Sequence, residues 1–319
     1  MAEGKILLKP GTLWTSVKEQ TEHALQCGAL LSIPTEFEFI EQDNVRFLVR
    51  ILSNLNRKKA AKEKQEKQSA KSSQEFNPFL PYEEDLFVAD ISDSHVCILN
   101  KFNVVDYHLL IITRGFEEQE SLLTVEDFTA MWACLADFDG LAFYNSGKTA
   151  GASQRHKHLQ LVPLPLAPSG PQIPIEALLT SAQFQNSILS GASATHSLFK
   201  SKGTVGKAYA TSPKLPFLHA FAPLNSNWGQ SPFTAAQATL EVYRTLRHAV
   251  GLDARQSAAY NLLATREWIL IIPRSQEHFQ SISVNSLGFA GALLVRNAAE
   301  MEILKAQGPM TILKNVAVS

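Results

Sequence analysis

Cysteine is scarce. Cys27, Cys97 and Cys134 are the only three in 319 residues; odd in number and without paired spacing, they offer neither a disulfide framework nor a thiolate metal site. Buried thiols in a reducing, cytoplasmic setting are expected instead. An excess of one charge is also missing, since the formal net charge is −1, which excludes a general field for nucleic acid or an anionic membrane. No stretch approaches the roughly 20 apolar residues that span a bilayer. Acidic Glu3 before Gly4-Lys5-Ile6-Leu7-Leu8 does not read as a secretory signal. The 45% hydrophobic and 18% charged residues are enough for a substantial core, in one domain or two packed halves.

Periodicity gives the organisation. Ser16 and Glu19 have capping-box spacing, so a surface helix is expected over Val17–Cys27. Val45, Phe47, Val49 and Ile51 alternate with Arg46, Leu48 and Arg50, which predicts a strand. From Arg57 to Lys71 basic side chains dominate and large apolar ones are nearly absent; this reads either as an exposed loop or frayed helix, or as a solvated segment whose first residues, Arg57 and Lys58, reach a polyphosphate. The run lacks the aromatic interleaving of a nucleic-acid surface. Asn77-Pro78-Phe79-Leu80-Pro81-Tyr82 is too proline-rich for regular structure and is expected to run over an apolar surface. Short strands are expected at Leu86–Val88, Val96–Leu99 and Tyr107–Thr113, and a helix over Glu126–Phe138 from Phe128, Met131, Trp132, Leu135 and Phe138. Later come a connector at Pro168–Pro174, a helix over Thr234–Val250, and a hairpin of Ala259–Leu263 with Trp268–Ile272 around Thr265-Arg266-Glu267.

Two segments echo one another: His108-Leu109-Leu110-Ile111-Ile112-Thr113-Arg114 and Trp268-Ile269-Leu270-Ile271-Ile272-Pro273-Arg274. A duplicated strand, and with it two related halves, would explain the match. His108 and Trp268 read either as packing groups at strand ends or as rings that shape adenosine recognition. His219, Trp132 and Trp228 read as structural.

The chemistry concentrates in Asn145-Ser146-Gly147-Lys148-Thr149-Ala150-Gly151-Ala152-Ser153-Gln154-Arg155-His156-Lys157-His158-Leu159-Gln160. On a strand, His156, His158 and Gln160 fall on one face, where two imidazoles and an amide converge on one small anion. His158 is the candidate nucleophile toward an α-phosphorus, with His156 or a backbone acceptor orienting its ring. Gly147, Gly151 and Ala152 let backbone donors approach phosphates, and Ser153, Gln154 and Gln160 can hold non-bridging oxygens. A transition metal is disfavoured because Gln160 is a poor third ligand and no cysteine or carboxylate lies close in sequence.

These residues, together with Asn77-Pro78-Phe79-Leu80-Pro81, Leu99-Asn100-Lys101-Phe102-Asn103 and Asn261-Leu262-Leu263-Ala264-Thr265-Arg266-Glu267-Trp268, resemble the diadenosine tetraphosphate phosphorylase, or ATP adenylyltransferase, branch of the histidine-triad superfamily. The resemblance implies phosphorolysis of diadenosine tetraphosphate by inorganic phosphate to ATP and ADP, through AMP on His158. It also implies that Gln160 replaces the third histidine of the wider superfamily, a replacement shared with hexose-1-phosphate nucleotidyltransferases. Substrate contacts implied by it are Lys58, Asn100, Lys101, Asn145, Ser146, Gly147, Gly151, Ala152, Ser153, Gln154, Asn261, Thr265 and Arg266. Arg155 and Arg266 depart from the proline and lysine frequent there.

The expectation is an α+β, histidine-triad-like fold, with a mixed, largely antiparallel sheet, packed helices and two related halves. Residues 1–167 form the catalytic half, and residues 168–319 form the second half with a nucleotide-contact region. Mg2+ is expected to arrive with the polyphosphate, no metal is expected to be held by a protein cage, and the chain is expected to be monomeric. Nucleotidyl transfer between a nucleotide sugar and a hexose 1-phosphate, and nucleotide binding without catalysis, remain the alternatives.

Overall fold

A computed structural model describes residues 5–52, 77–179, 183–186, 208–224, 231–252 and 258–319. The basic segment from Arg57 to Lys71, with Lys58, and also Trp228 lie outside the described residues.

Helix α1 spans Leu13–Gln26 and buries Leu13, Val17 and Ala24. It starts a turn earlier than the spacing of Ser16 and Glu19 predicts, and that capping box does not form. The Ser16 amide already donates to Thr12 O inside the helix. The end is capped from a distance, the Asp137 carboxylate accepting from Gly11 N at 2.9 Å and Leu13 N at 2.7 Å. A carboxylate there satisfies orphan amides and complements the helix dipole.

The centre is a ten-stranded, wholly antiparallel sheet. Its first half holds β3 (Phe87–Asp90), β4 (His95–Leu99), β5 (Leu109–Thr113), β6 (Gly140–Asn145) and β7 (His158–Pro163). Its second holds β8 (Gln183–Asn186), β9 (Ala208–Thr211), β10 (Ala220–Pro223), β11 (Tyr260–Ala264) and β12 (Trp268–Pro273). The spatial order is β3-β4-β5-β7-β6-β11-β12-β10-β9-β8. Each half is thus three strands, a helix and a hairpin, and β6 meets β11 at the centre.

The duplication is real, but the sequence echo joins the wrong strands. Strand lengths and registers superpose β5 on β10 and β7 on β12, so His108 corresponds to His219, and His158 and Gln160 to Trp268 and Leu270. The 108–114 and 268–274 runs match because both are apolar strands buried on two faces. That similarity comes from burial and not from common position.

Helix α2 (Val125–Asp137) follows β5 and α3 (Pro232–Ala249) follows β10. They pack together on one face of the sheet, where Trp132 Nε1 donates to Thr239 Oγ1 at 2.8 Å. Thr124 and Asp127 form a capping box at the start of α2. On the other face a three-stranded sheet of β1 (Thr35–Gln42), β2 (Val45–Leu52) and β15 (Ala292–Val295) covers the middle, after the two-residue strands β13 (His278–Phe279) and β14 (Ile282–Ser283). Here β15 runs parallel to β2, so the tail of the second half pairs with the first. The core on this face mixes Phe47, Leu141 and Val162 with Leu270, Met301 and Ile312. A cut between 167 and 168 falls between β7 and β8, yet it separates no independent cores. Phe79, in the proline-rich segment, packs on Val96, Ile98, Leu110 and Ile112, as its composition predicts.

One buried charge ties the site strand to α2. Lys157 Nζ lies 2.6 Å from Asp127 Oδ2 and 3.0 Å from Glu117 Oε2, and donates to Leu122 O at 3.0 Å. Asp127 Oδ1 faces His95 Nε2 at 3.0 Å. Burial alone would raise the Asp127 carboxyl, but His95 and Lys157 outweigh it and hold it below its usual value. Its stabilisation is therefore present above the unfolded carboxyl value and is lost as pH falls through the folded one. Replacing Lys157 by Met leaves a buried carboxylate short of its main cation. A loss of about 3–5 kcal/mol is expected in urea unfolding, and Lys157→Met/Asp127→Asn should recover part of it. A single variant within 1 kcal/mol or so of the parent would show that the pair does not anchor the strand.

Candidate active site

On β7 the side chains alternate: Leu159 and Leu161 enter the core under α2, while His158 and Gln160 take the opposite face. His158 Nδ1 lies 2.8 Å from the carbonyl of His156. A carbonyl only accepts, so the ring donates through Nδ1–H and its lone pair is on Nε2. Gln119, which sequence reasoning missed, fixes the strand around it. Its Oε1 accepts from His158 N at 2.8 Å, and its Nε2 donates to Asn145 O at 2.8 Å and His158 O at 3.2 Å. No local pattern marks Gln119, because its role exists only once three loops meet.

His156 acts through its backbone. Its ring donates from Nε2 to Thr113 O at 2.9 Å and accepts at Nδ1 from Asn77 Nδ2 at 3.0 Å. Asn77 is oriented for this because its Oδ1 already accepts from Phe79 N at 3.0 Å. Phe79 lies edge-on to both histidines, with ring centroids 5.5 Å from His156 and 5.4 Å from His158. Gln160 Oε1 accepts from His108 Nε2 at 3.0 Å, and His108 Nδ1 accepts from Asn100 Nδ2 at 3.2 Å. His108 is thus more than a packing group, since it joins Asn100 to Gln160.

Burial depresses all three rings. His158 falls to about 4, mainly by desolvation, with His156 lowering it further against the hydrogen bond to the His156 carbonyl. His108 also falls to about 4 by desolvation, and His156 is lowered for the same reason. At neutral pH they are uncharged. That is the state a nitrogen nucleophile requires.

The predicted phosphate loop leaves β6 and returns to the motif. Gly147 and Gly151 have φ of 80° and 90°, a region costly for side-chain-bearing residues. A Cβ at Gly151 would come within 2.8 Å of Val284 O, so the second half closes directly on the loop. Asn261 Nδ2 donates to Asn145 Oδ1 and to Ala150 O, both at 2.9 Å. Arg274 Nη1 donates to Asn261 Oδ1 at 2.6 Å, and Ser286 N and Oγ donate to Asn145 Oδ1 at 2.9 and 2.7 Å. Asn145 is therefore held by its carbonyl oxygen, while Ser146 Oγ is buried without a partner among the described residues. Ala152 closes the loop on Gly147 O at 3.1 Å. Ser153 is exposed, Gln154 is half-buried, and exposed Lys148 adds a cation that the sequence reading left out.

Several expected substrate contacts have other tasks. Asn261 is fully buried and braces the loop. Thr265 Oγ1 accepts from Glu267 N at 3.1 Å and Trp268 N at 3.2 Å, closing the β11–β12 turn. Arg266 Nε donates to Leu135 O at 2.6 Å, near the end of α2. That turn lies at the far end of β6 from Asn145, about 17 Å along the strand, so Thr265 and Arg266 are corrected to structural residues. Lys101 is ion-paired with Glu83 at 2.5 Å, and Asn100 faces His108. Trp268 and His219 also serve structure, the first through Glu176 Oε1 at 2.9 Å and the second through Phe217 O and Ser212 N, both at 2.8 Å.

A family model described as the Ap4A phosphorylase N-terminal domain matches residues 3–181, and one described as the ATP adenylyltransferase C-terminal domain matches residues 213–319. The chain belongs to the Ap4A phosphorylase family. It is similar to diadenosine 5′,5‴-P1,P4-tetraphosphate phosphorylase 2 of Saccharomyces cerevisiae, 27% identical over 255 residues covering 72% of this chain and 71% of that one. The protein APA1 of the same yeast is 27% identical over 222 residues, covering 63% and 61%. The fold is that of the crystal structure of yeast Ap4A phosphorylase Apa2 in complex with Ap4A, at TM-score 0.72, 22% identity and coverage of 97% and 98%. The family match spans both related halves described above.

The pH profile follows from the buried rings. The internal phosphates of a dinucleotide polyphosphate do not titrate near neutrality and adenine N1 protonates only well below it, so an acid limb close to neutrality would have to come from the protein, and a buried, neutral His158 should produce none there. Rapid-quench rates at low substrate should stay level from pH 7 to about 5 and fall near pH 4. An acid limb near the ordinary imidazole value of about 6.5 would contradict the buried, neutral nucleophile.

Proposed function

We propose that the protein cleaves diadenosine tetraphosphate by phosphorolysis, giving ATP and ADP, with AMP carried on His158 between the two steps. The observation that carries this reading is the Nδ1–H of His158 donating to a carbonyl, which leaves a neutral ring with one lone pair beside a glycine loop. In the first step Nε2 attacks an α-phosphorus. The N–P bond forms as the P–O bond to the β-phosphate side breaks, and ATP departs with that electron pair. In the second step an oxygen of hydrogenphosphate attacks the same phosphorus. The N–P bond breaks, its electron pair returns to Nε2, and ADP leaves with the phosphate proton. His158 ends in its starting tautomer.

Gln160 and the loop donors supply hydrogen bonds to the non-bridging oxygens as charge redistributes. Mg2+, arriving with the polyphosphate, would supply charge neutralisation on the phosphates, with no dedicated protein cage needed to hold it. Among the described residues, the group able to offer three metal ligands is His23, Cys27 and Asp85, exposed around α1 and not in this site. The substrate itself is supported by the family and by the activity named for the yeast relative.

The deciding assay incubates purified protein with the dinucleotide, with and without phosphate. ATP and ADP should accumulate only with phosphate, chelation should slow turnover, and returned Mg2+ should restore it. Without phosphate, intact mass after a denaturing quench should show AMP on the parent protein and none on His158→Ala. Two ADP, or AMP plus ATP, as the main products would reject phosphorolysis, and an adduct on His158→Ala would move the nucleophile elsewhere.

We also place the protein in the cytoplasm as a monomer. Among the described residues no helix is long and apolar enough to cross a membrane, and Cys97 and Cys134 are buried free thiols. One chain supplies both halves of the sheet. Light scattering should give a concentration-independent mass of one chain; twice that mass would overturn the assignment.

A further inference from the structure

The two halves hold equivalent histidines in opposite tautomers. Strand registers place Asn100 and His108 where the second half has Ser212 and His219. In the second half the Ser212 backbone amide donates to His219 Nε2 at 2.8 Å, so His219 carries its proton on Nδ1 and gives it to Phe217 O at 2.8 Å. In the first half the Asn100 amide donates to His108 Nδ1 at 3.2 Å, and the proton sits on Nε2. His108 then donates to Gln160 Oε1 at 3.0 Å. The equivalent of Gln160 is Leu270, which can accept nothing.

We propose that Asn100 and His108 form a positioning relay that fixes the polarity of the Gln160 amide, so that Gln160 always presents N–H groups, and never its carbonyl oxygen, to the phosphoryl group transferred at His158. Gln160 makes no other side-chain hydrogen bond among the described residues, so its Nε2 hydrogens are uncommitted. An amide that can flip is a poor anion site, because half of its orientations aim an acceptor at phosphate oxygen. The relay removes the choice: Asn100 Oδ1 accepts from Phe102 N at 3.3 Å, which turns Nδ2 to the ring, which turns Nε2–H to Gln160. Neither residue touches substrate in this scheme. The expected nucleotide contact at Asn100 becomes a support two hydrogen bonds removed from it.

Around the His108 ring are Asn100 after β4, Phe143 of β6 at 5.6 Å between centroids, and Gln160 and His158 of β7; His158 is the one that titrates. Burial keeps His108 neutral, which makes its tautomer depend on what Asn100 offers.

The inference rests on the AMP-transfer reading, and the test separates the two. Asn100→Asp is nearly isosteric but can only accept from the ring. Above the ring's new titration point the proton moves to Nδ1, His108 Nε2 becomes an acceptor, and Gln160 must turn its N–H toward the ring. Below that point the imidazolium donates from both nitrogens and the Gln160 polarity returns. Single-turnover AMP transfer by Asn100→Asp should therefore be on the order of a hundredfold slow at pH 8 and recover as pH falls toward 6, where the parent is level. Nitrogen-15 spectra should show pyridine-like Nδ1 in parent His108 and pyrrole-like Nδ1 in the variant at high pH. His108→Phe, which removes the donor, should lower the transfer rate at every pH with little change in half-saturation.

If the parent forms no AMP adduct, the functional reading fails. If it does, and Asn100→Asp follows the parent profile or loses rate equally at all pH values, the relay alone is overturned. The nitrogen spectra decide this even if His108→Phe does not fold.

Discussion

The buried ammonium of Lys157 is the constraint on which the site depends. It sits between the two motif histidines in sequence, yet it points into the core, where Asp127 receives it at 2.6 Å. Two charges out of water are costly unless each remaining polar position is filled. Here Leu122 O and Glu117 complete the ammonium, and His95 and the Thr124 amide complete the carboxylate. Such a network has one good geometry. It locks the chain entering β7 to the first turn of α2, and alternation then sends His156 and His158 to the other face. The His156 carbonyl is thereby placed against the His158 ring, which is how a structural ion pair on one face determines a tautomer on the other.

Duplication gave the molecule two potential centres and a use for only one. In place of His156, His158 and Gln160 the second half carries Arg266, Trp268 and Leu270, by the superposed registers. Each has been turned to support: Arg266 holds α2, Trp268 anchors Glu176, and Leu270 fills the core. The vacated half then braces the working one, since Asn261, Arg274 and Ser286 hold Asn145 and Ala150. A loop with two glycines at positive φ would be loose by itself, because glycine surrenders more backbone freedom on ordering than any other residue. Closure by Val284 and Asn285 over Gly151 supplies the missing restraint.

What was legible in the sequence was what short range determines. Period-two alternation gave β2 and the shared face of His158 and Gln160, and the apolar recurrence of Phe128, Met131 and Leu135 gave α2 within a residue or so. The glycines of the motif mark where the chain needs positive φ, and Gly147 and Gly151 adopt it. The failures share a cause, which is that distant groups took over local tasks. Ser16 and Glu19 fit a capping pattern, but Asp137 caps α1 a turn earlier. Asn261, Thr265 and Arg266 lie in a segment similar to that of the family, and nothing in their order says that the first faces the loop, the second closes a turn and the third reaches the far end of α2. The echo of residues 108–114 in 268–274 reflects equal burial, whereas the true counterpart of His108, His219, stands just before a strand whose sequence has diverged.

Among the described residues the partner of the His158 ring is the His156 carbonyl and not a carboxylate, and that has a chemical consequence. A carboxylate would orient the ring as well as a carbonyl does, but it would stabilise imidazolium and raise the ring toward a protonated resting state. A carbonyl in a buried site orients the ring with far less stabilisation of charge, and desolvation leaves the ring near 4. Such a nitrogen is a weaker base and a more reluctant nucleophile, so the attack must draw on placement and on donors around the phosphate. The same weakness helps the return step. Once AMP is bound through Nε2 the ring carries positive charge in an environment that disfavours it, and transfer to phosphate restores the neutral ring. A low-basicity imidazole is thus the better leaving group in the proposed transfer of AMP to phosphate, as it is the poorer nucleophile in the step before.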